Sequence, residues 1–412
     1  MIRTISKCRV CKSEDLVSVL DLGEQALTGV FPRNRIEEIT RGPLQLVRCA
    51  AADGCGLVQL RQSYELDEMY GTNYGYRSGL NPSMVKHLHS KVHRILSFGG
   101  LEQGDLVIDI GSNDATTLRA YPKGQYELVG LDPTGAKFAG YYTEDIRLIA
   151  DFFSNKTVRS VVGPKKAKVI TSFSMFYDLE DPLAFAQEIK STLHDNGIWI
   201  FEQSYLPSML RTNSFDTICH EHLEYYALKQ INWIAAKAGL KIIDVELNDI
   251  NGGSFSVTAA KSESNHNADT KKVQQILADE KVLGLDTSLA FDDFKRRVGV
   301  ERRKLMEFLQ TAKREGKRVC GLGASTKGNV LLQYYGIDDQ LVSEIGEVND
   351  DKFGAFTPGT LIRLLPEDQV LESNPDFLLI LPWHFRSFFE RHPKLKGRRL
   401  VFPLPHFEVV QT

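Results

Sequence analysis

Apolar residues recur at helical spacing from Pro82 to Leu101, with Met84, Leu88, Val92, Ile95 and Leu96 on one side, which predicts an amphipathic helix. The pattern then changes to short apolar runs at 105–110, 126–132, 167–172 and 197–202, spaced as strands alternating with helices. Such a β-α repeat builds a doubly wound parallel sheet. Its first strand ends in Ile110-Gly-Ser-Asn-Asp114, a turn expected to open a helix. A polar stretch at 261–281 marks a boundary. Beyond it Asp286-Thr-Ser288 should cap a long helix carrying Phe291, Phe294, Val298, Leu305, Phe308 and Ala312, and Arg318-Val-Cys-Gly-Leu-Gly323 enters a second glycine turn. The reading is an α/β chain in three parts, 1–80, 81–262 and 263–412.

Length and charge narrow the function classes. The chain has 412 residues, more than one core usually serves, and a formal charge of −3. That balance offers no basic face for nucleic acid or for a membrane surface. Runs such as Phe377-Leu-Leu-Ile-Leu-Pro382 are too short to span a bilayer, and the N-terminus has no cleavable apolar leader, so the expected location is cytoplasmic.

In a reducing compartment cysteines serve as ligands or buried thiols. Four of the six fall in the first 55 residues, as the pairs Cys8/Cys11 and Cys49/Cys55. Two such knuckles can give one Zn2+ four thiolates, a closed structural site; the second pair is spaced more widely than usual, and paired buried thiols are the alternative.

The glycine turn at Gly111 lacks the GxGxxG fingerprint of a pyrophosphate-binding loop, which disfavours NAD. A nucleoside cofactor without a diphosphate fits better, and S-adenosyl-L-methionine is the common one. Gly111, Ser112, Asn113, Asp132, Asp151, Phe152 and Ser172 are the candidate contacts, Asp132 being placed for a ribose diol and Ala115 requiring a negative φ. Downstream, His220-Glu-His222 concentrates two imidazoles and a carboxylate without the HExxH spacing of a zinc protease. In an extended loop both imidazoles would share one side, with Glu221 opposite, suited to proton transfer. The tyrosine-rich passage 64–82 could lie over a ligand or serve as a linker packed on the next domain.

Cys8-x-x-Cys11, Cys55-Gly-Leu-Val-Gln-Leu60, Tyr74-Gly-Tyr-Arg-Ser-Gly79, Ile110-Gly-Ser-Asn-Asp114, Phe201-Glu-Gln-Ser204, His220-Glu-His222, Asn251-Gly-Gly-Ser254 and Gly321-Leu-Gly-Ala-Ser-Thr-Lys-Gly328 together resemble the nucleotide-sugar C-methyltransferases of branched deoxysugar biosynthesis. Thr357-Pro-Gly359, Leu381-Pro-Trp-His384 and Pro403-Leu-Pro405 extend the likeness over nearly the whole chain. The resemblance implies an N-terminal zinc-binding domain, a central class I methyltransferase domain and a C-terminal Rossmann-like domain that helps hold a thymidine- or guanosine-diphosphate deoxysugar. It implies His222 as the base that deprotonates C3 of a 4-keto-6-deoxy sugar, with Glu221 and Tyr76 orienting groups or steadying the developing oxyanion; His220 is a further catalytic candidate, its alternative being a loop histidine bonded to a main-chain carbonyl. Many relatives carry Tyr where this chain has Cys219. Tyr76, Asn251, Ser325, Thr326, Lys327 and His384 are the candidate substrate contacts, the turn after Gly323 offering amides to phosphates. The resemblance permits a monomer. Two other classes stay open: a non-catalytic binder of sugar nucleotide or S-adenosylmethionine, and a nicotinamide enzyme using the Gly321 turn. Methylation at another sugar position is a nearer rival.

Overall fold

The computed structural model describes residues 2–65, 77–98 and 100–412. The N-terminal part is a four-stranded sheet in the spatial order Glu224–Tyr225, Val58–Leu60, Arg41–Cys49, Leu16–Ala26. Its outermost strand therefore comes from far along the chain: Glu224 pairs with Gln59 and Tyr225 with Val58, antiparallel. One residue, Leu223, separates that strand from His222, so the N-terminal sheet anchors one end of the His-Glu-His segment.

The middle part is a seven-stranded sheet. Leu106–Ile110, Glu127–Leu131, Ile146–Ile149, Ala167–Phe173 and Leu193–Ser204 run parallel, and Ser254–Lys261 inserts antiparallel between Leu193–Ser204 and Leu240–Asn248. Numbered within the domain, the order is 3-2-1-4-5-7-6. Leu106–Ile110 is buried along its whole length, which is why it reads as an unbroken apolar run around Asp109. Helix Pro82–Ser97 packs Val92 and Ile95 against this sheet; Asn81 accepts from the Ser83 and Met84 amides and proline begins the helix.

Two expectations fail here for stated reasons. No α-helix follows Gly111: the chain makes only the short 3-10 turn Leu118–Ala120, because the Asp114 carboxylate takes the Thr116 hydroxyl at 2.5 Å and the Gly79 amide at 3.1 Å. The polar stretch read as a boundary contains helix Thr270–Val282, which buries Val273 and Ile276 against the middle domain. Glu280 on that helix accepts from the Leu228 amide at 2.6 Å, the Lys229 amide at 3.0 Å and the Tyr205 hydroxyl at 2.8 Å, capping helix Leu228–Ala238.

The C-terminal part has six strands in the order Arg363–Pro366, Glu344–Glu347, Val319–Leu322, Phe377–Ile380, Arg399–Phe402, Glu408–Gln411, with only the last antiparallel. This is the 3-2-1-4-5-6 order of a Rossmann-like sheet, whose ligand crevice opens between the first and fourth strands. Helix Leu289–Arg314 leads into it, with Phe291, Phe294, Val298, Leu305, Leu309 and Ala312 buried. Among the described residues no helix is long and apolar enough to cross a membrane.

Candidate active site

A cavity of about 290 Å³ opens at the carboxyl ends of the middle sheet's parallel strands. Gly111, Ser112, Asn113, Asp132, Asp151 and Phe152 line it, as do Asp109, Ser174, Met175 and Glu180. Gly111 has φ +71°, and an added Cβ would stand 3.2 Å from the Met175 side chain, so the close turn requires glycine. Asp132 is held by its own neighbours: Oδ2 accepts from the Asn113 amide at 2.8 Å, and Oδ1 from the Thr134 amide and hydroxyl at 2.7 and 2.6 Å. Burial lifts the Asp109 carboxyl to about 7, against the pull of the Thr171 hydroxyl.

Two cofactor residues depart from expectation. Ser172 is not in the cavity; it is fully buried and its hydroxyl accepts from the Trp199 indole at 2.9 Å. Ala115 has φ +59°, where a negative value was required, so this side chain sits in the left-handed region that glycine would occupy without cost.

The four sequence-matched thiols converge. Cys8, Cys11, Cys49 and Cys55 place their sulfurs within 4.8 Å of one another, with Cys8–Cys55 and Cys11–Cys49 each at 3.5 Å. A tetrahedral zinc with Zn–S bonds of ~2.3 Å needs sulfur–sulfur edges of ~3.8 Å, so the set fits a structural Zn2+. Gln59 Nε2 donates to Cys8 Sγ at 3.2 Å, which satisfies a thiolate lone pair.

His220-Glu-His222 is not extended. The His222 amide bonds the Cys219 carbonyl at 3.2 Å, a tight turn that gives the two imidazoles different surroundings. His220 turns to the N-terminal domain, edge-on to Tyr64 at 4.6 Å, and burial pulls its pKa down to about 4. His222 turns the other way, 4.3 Å from the Tyr177 ring, with Nδ1 at 3.1 Å from the Thr217 carbonyl. A carbonyl oxygen only accepts, so Nδ1 carries the proton and Nε2 keeps its lone pair. Burial, with the nearby Lys327 charge adding, lowers His222 to about 4.

Glu221 has a carboxyl pushed up by burial. A Cβ added at Gly29 would stand 2.8 Å from Glu221 Oε1 and 3.9 Å from Thr326 Oγ1, so all three domains meet at this carboxyl group. Cys219 is wholly buried, which raises its thiol well above the usual range.

From the C-terminal domain, Lys327 reaches into the same crevice, its ammonium donating to the Asn251 carbonyl at 3.0 Å. Asn251 lies on a left-handed turn at φ +55°. His384 borders the crevice near Gly252, its pKa lowered to about 3 by burial and by Lys327. Asp216 was not foreseen: it is fully buried, accepts from the Trp383 indole at 2.7 Å, and is raised to about 6 by burial while Lys327 opposes.

The turn after Gly323 is satisfied internally in part. Ser325 Oγ caps its helix through the Gly328 amide at 3.1 Å, and the Ala324 amide donates to Glu347 Oε2 at 3.1 Å. The Glu347 carboxylate thus takes the Ala324 amide of this turn, and Thr326 and Lys327 follow at the start of helix Thr326–Tyr335. Tyr76 lies outside the described residues.

Three family models match along the chain: a "Putative zinc binding domain" at 8–70, a "Methyltransferase domain" at 84–245 and a "C-methyltransferase C-terminal domain" at 249–405. The chain belongs to the C-methyltransferase family. It is 28% identical over 419 residues to the C-methyltransferase NovU of Streptomyces niveus, covering 100% of this chain and 98% of that one. Solved structures similar to part of the chain include magnesium protoporphyrin IX methyltransferase from Synechocystis PCC 6803 with bound S-adenosylmethionine, at 13% identity and TM-score 0.33, covering 43% of this chain and 79% of that one. A second is an S-adenosylmethionine-dependent methyltransferase from Clostridium acetobutylicum ATCC 824, at 10% identity and TM-score 0.33, covering 43% and 92%. The C-methyltransferase uses S-adenosylmethionine, and the cavity at Gly111 has the glycine turn, polar strand ends and half-exposed Phe152 face to hold it.

Proposed function

We propose that this C-methyltransferase acts on a nucleotide-linked 4-keto-6-deoxy sugar and methylates C3, with His222 as the base. The observation that carries the reading is the bond between His222 Nδ1 and the Thr217 carbonyl, which leaves a neutral Nε2 free in a crevice bordered by three domains. A ketone makes the neighbouring C3 proton acidic enough for such a base. His222 takes that proton on Nε2, and electron density moves to the ketone oxygen. Lys327, half-buried beside His222, steadies the charge gathering there. Asn251 keeps the ammonium in place through its carbonyl. When bound, S-adenosylmethionine supplies an electrophilic methyl group to the carbon made nucleophilic by this deprotonation. The C-terminal domain, through Lys327 and His384, walls one side of the crevice and limits access of water to the carbanion.

The test is mass spectrometry of thymidine- and guanosine-diphosphate 4-keto-6-deoxyhexoses after incubation with enzyme and S-adenosylmethionine. Wild type adds one methyl to one of these sugars; His222→Ala adds none and also fails to exchange the C3 proton in deuterium oxide. Absence of methylation on every ketosugar would overturn the substrate class, whereas methylation by His222→Ala would overturn the base.

A further inference from the structure

Arg9 lies between zinc ligands Cys8 and Cys11 and is only 3% exposed. Its guanidinium donates to the Leu60 carbonyl at 2.5 Å and the Ser63 hydroxyl at 2.8 Å, and Nε points at Glu180 Oε2 at 3.4 Å. Glu180 is 171 residues away and lines the cofactor cavity. Its other oxygen receives Arg3 at 2.8 Å. Near the same Nε stands Glu224, wholly buried, at 3.8 Å and without a hydrogen bond to its carboxyl group among the described residues. Gln59 joins this group to the metal knuckle: Oε1 accepts from the Arg9 amide at 3.0 Å while Nε2 donates to Cys8 Sγ at 3.2 Å.

We propose that Arg9 is a positioning residue through which the zinc knuckle sets the place of Glu180 in the cofactor-cavity wall, so that metal and cofactor binding are coupled. A guanidinium presents its donors in one rigid plane, and this one is fixed on several sides by the knuckle and the Val58–Leu60 strand. The direction of Nε is therefore set by the metal site, and a carboxylate that follows it cannot swing across the cavity. Glu180 alone, with its side chain 38% exposed, would have that freedom. A carboxylate held at the wall suits a ligand bearing an ammonium group and, in the methyl donor, a sulfonium. Coupling of this kind is reciprocal: whatever factor the knuckle contributes to cofactor affinity, the cofactor returns to retention of the metal.

The experiment is calorimetric binding of S-adenosylhomocysteine to full-length wild type, Arg9→Gln, Glu180→Gln and the double variant, with zinc content measured for each. Each single change is expected to weaken binding about tenfold with zinc retained, and the double to bind no more weakly than the worse single. S-adenosylhomocysteine should also slow zinc loss to a chelator in wild type and not in Glu180→Gln. Losses that add in the double variant, or wild-type affinity in Glu180→Gln, would overturn the proposal. Should Arg9→Gln lose its metal or its fold, Glu180→Gln and the chelator comparison decide the matter alone, since Glu180 sits outside the knuckle.

Discussion

His222 is kept neutral by its surroundings, and the pH dependence of the reaction should report it. If His222 is the base, as proposed, it works unprotonated; with its pKa lowered to about 4, kcat/KM should hold its plateau through mildly acidic pH and fall only as Nε2 takes up a proton near that value. Lys327→Met removes a like charge, so the acidic limb should move to higher pH while the plateau drops; a pH–rate series on both proteins checks it. His220 makes a matching statement about stability. Its folded pKa of about 4 lies below the ordinary histidine value, so the unfolded chain binds the proton first. The contribution is complete above the unfolded value and is lost as pH falls toward 4. His220→Gln should therefore lose less stability than wild type across that window, by up to about 3 kcal/mol, measured by urea unfolding at a series of pH values. Ala115 gives a third test. Replacing it by glycine releases about 1–2 kcal/mol of left-handed backbone strain and forfeits ~1 kcal/mol of methyl burial. Ala115→Gly should melt within a few degrees of wild type, a small change for a fully buried side chain.

At the scale of elements, the charged residue on helix Thr270–Val282 carries more than its propensity suggests. Glu280→Ala leaves two helix-terminal amides and a tyrosine hydroxyl without their acceptor, and should cost about 2–3 kcal/mol in denaturant unfolding. Much of the architecture was legible because buried parallel strands have little choice but continuous apolar runs, and because thiol spacing and a glycine turn are local signals. This helix was not, since it buries one narrow face and its polar outer face looks like a linker. The turn at Cys219–His222 also lacks a local signal, so the two imidazoles could not be separated in advance. Asp216 was hidden for a different reason: its partner Trp383 is 167 residues away, and only the packed fold brings an indole N–H to a buried carboxylate. The Glu347 carboxylate on the Ala324 amide was hidden likewise, because Glu347 arrives from the neighbouring strand.

The whole molecule puts its chemistry where no single domain could build it. Thr217 and His222 come from the middle domain, Lys327 and His384 from the C-terminal domain, and Gly29 from the first. Cys49→Ser should reduce zinc content and abolish methyl transfer together, because the sheet that the metal closes also holds the strand two residues past His222. The order of synthesis then acquires a cost. When the ribosome has released the first domain, Val58–Leu60 has its neighbour Arg41–Cys49 on one side, while the strand that covers its other side is still more than 150 residues from being made. Until Glu224–Tyr225 emerges, the nascent protein carries an open sheet edge able to pair with another chain. Zinc scarcity or a ribosomal pause in that interval should therefore appear as aggregation during expression, even where the finished enzyme is stable.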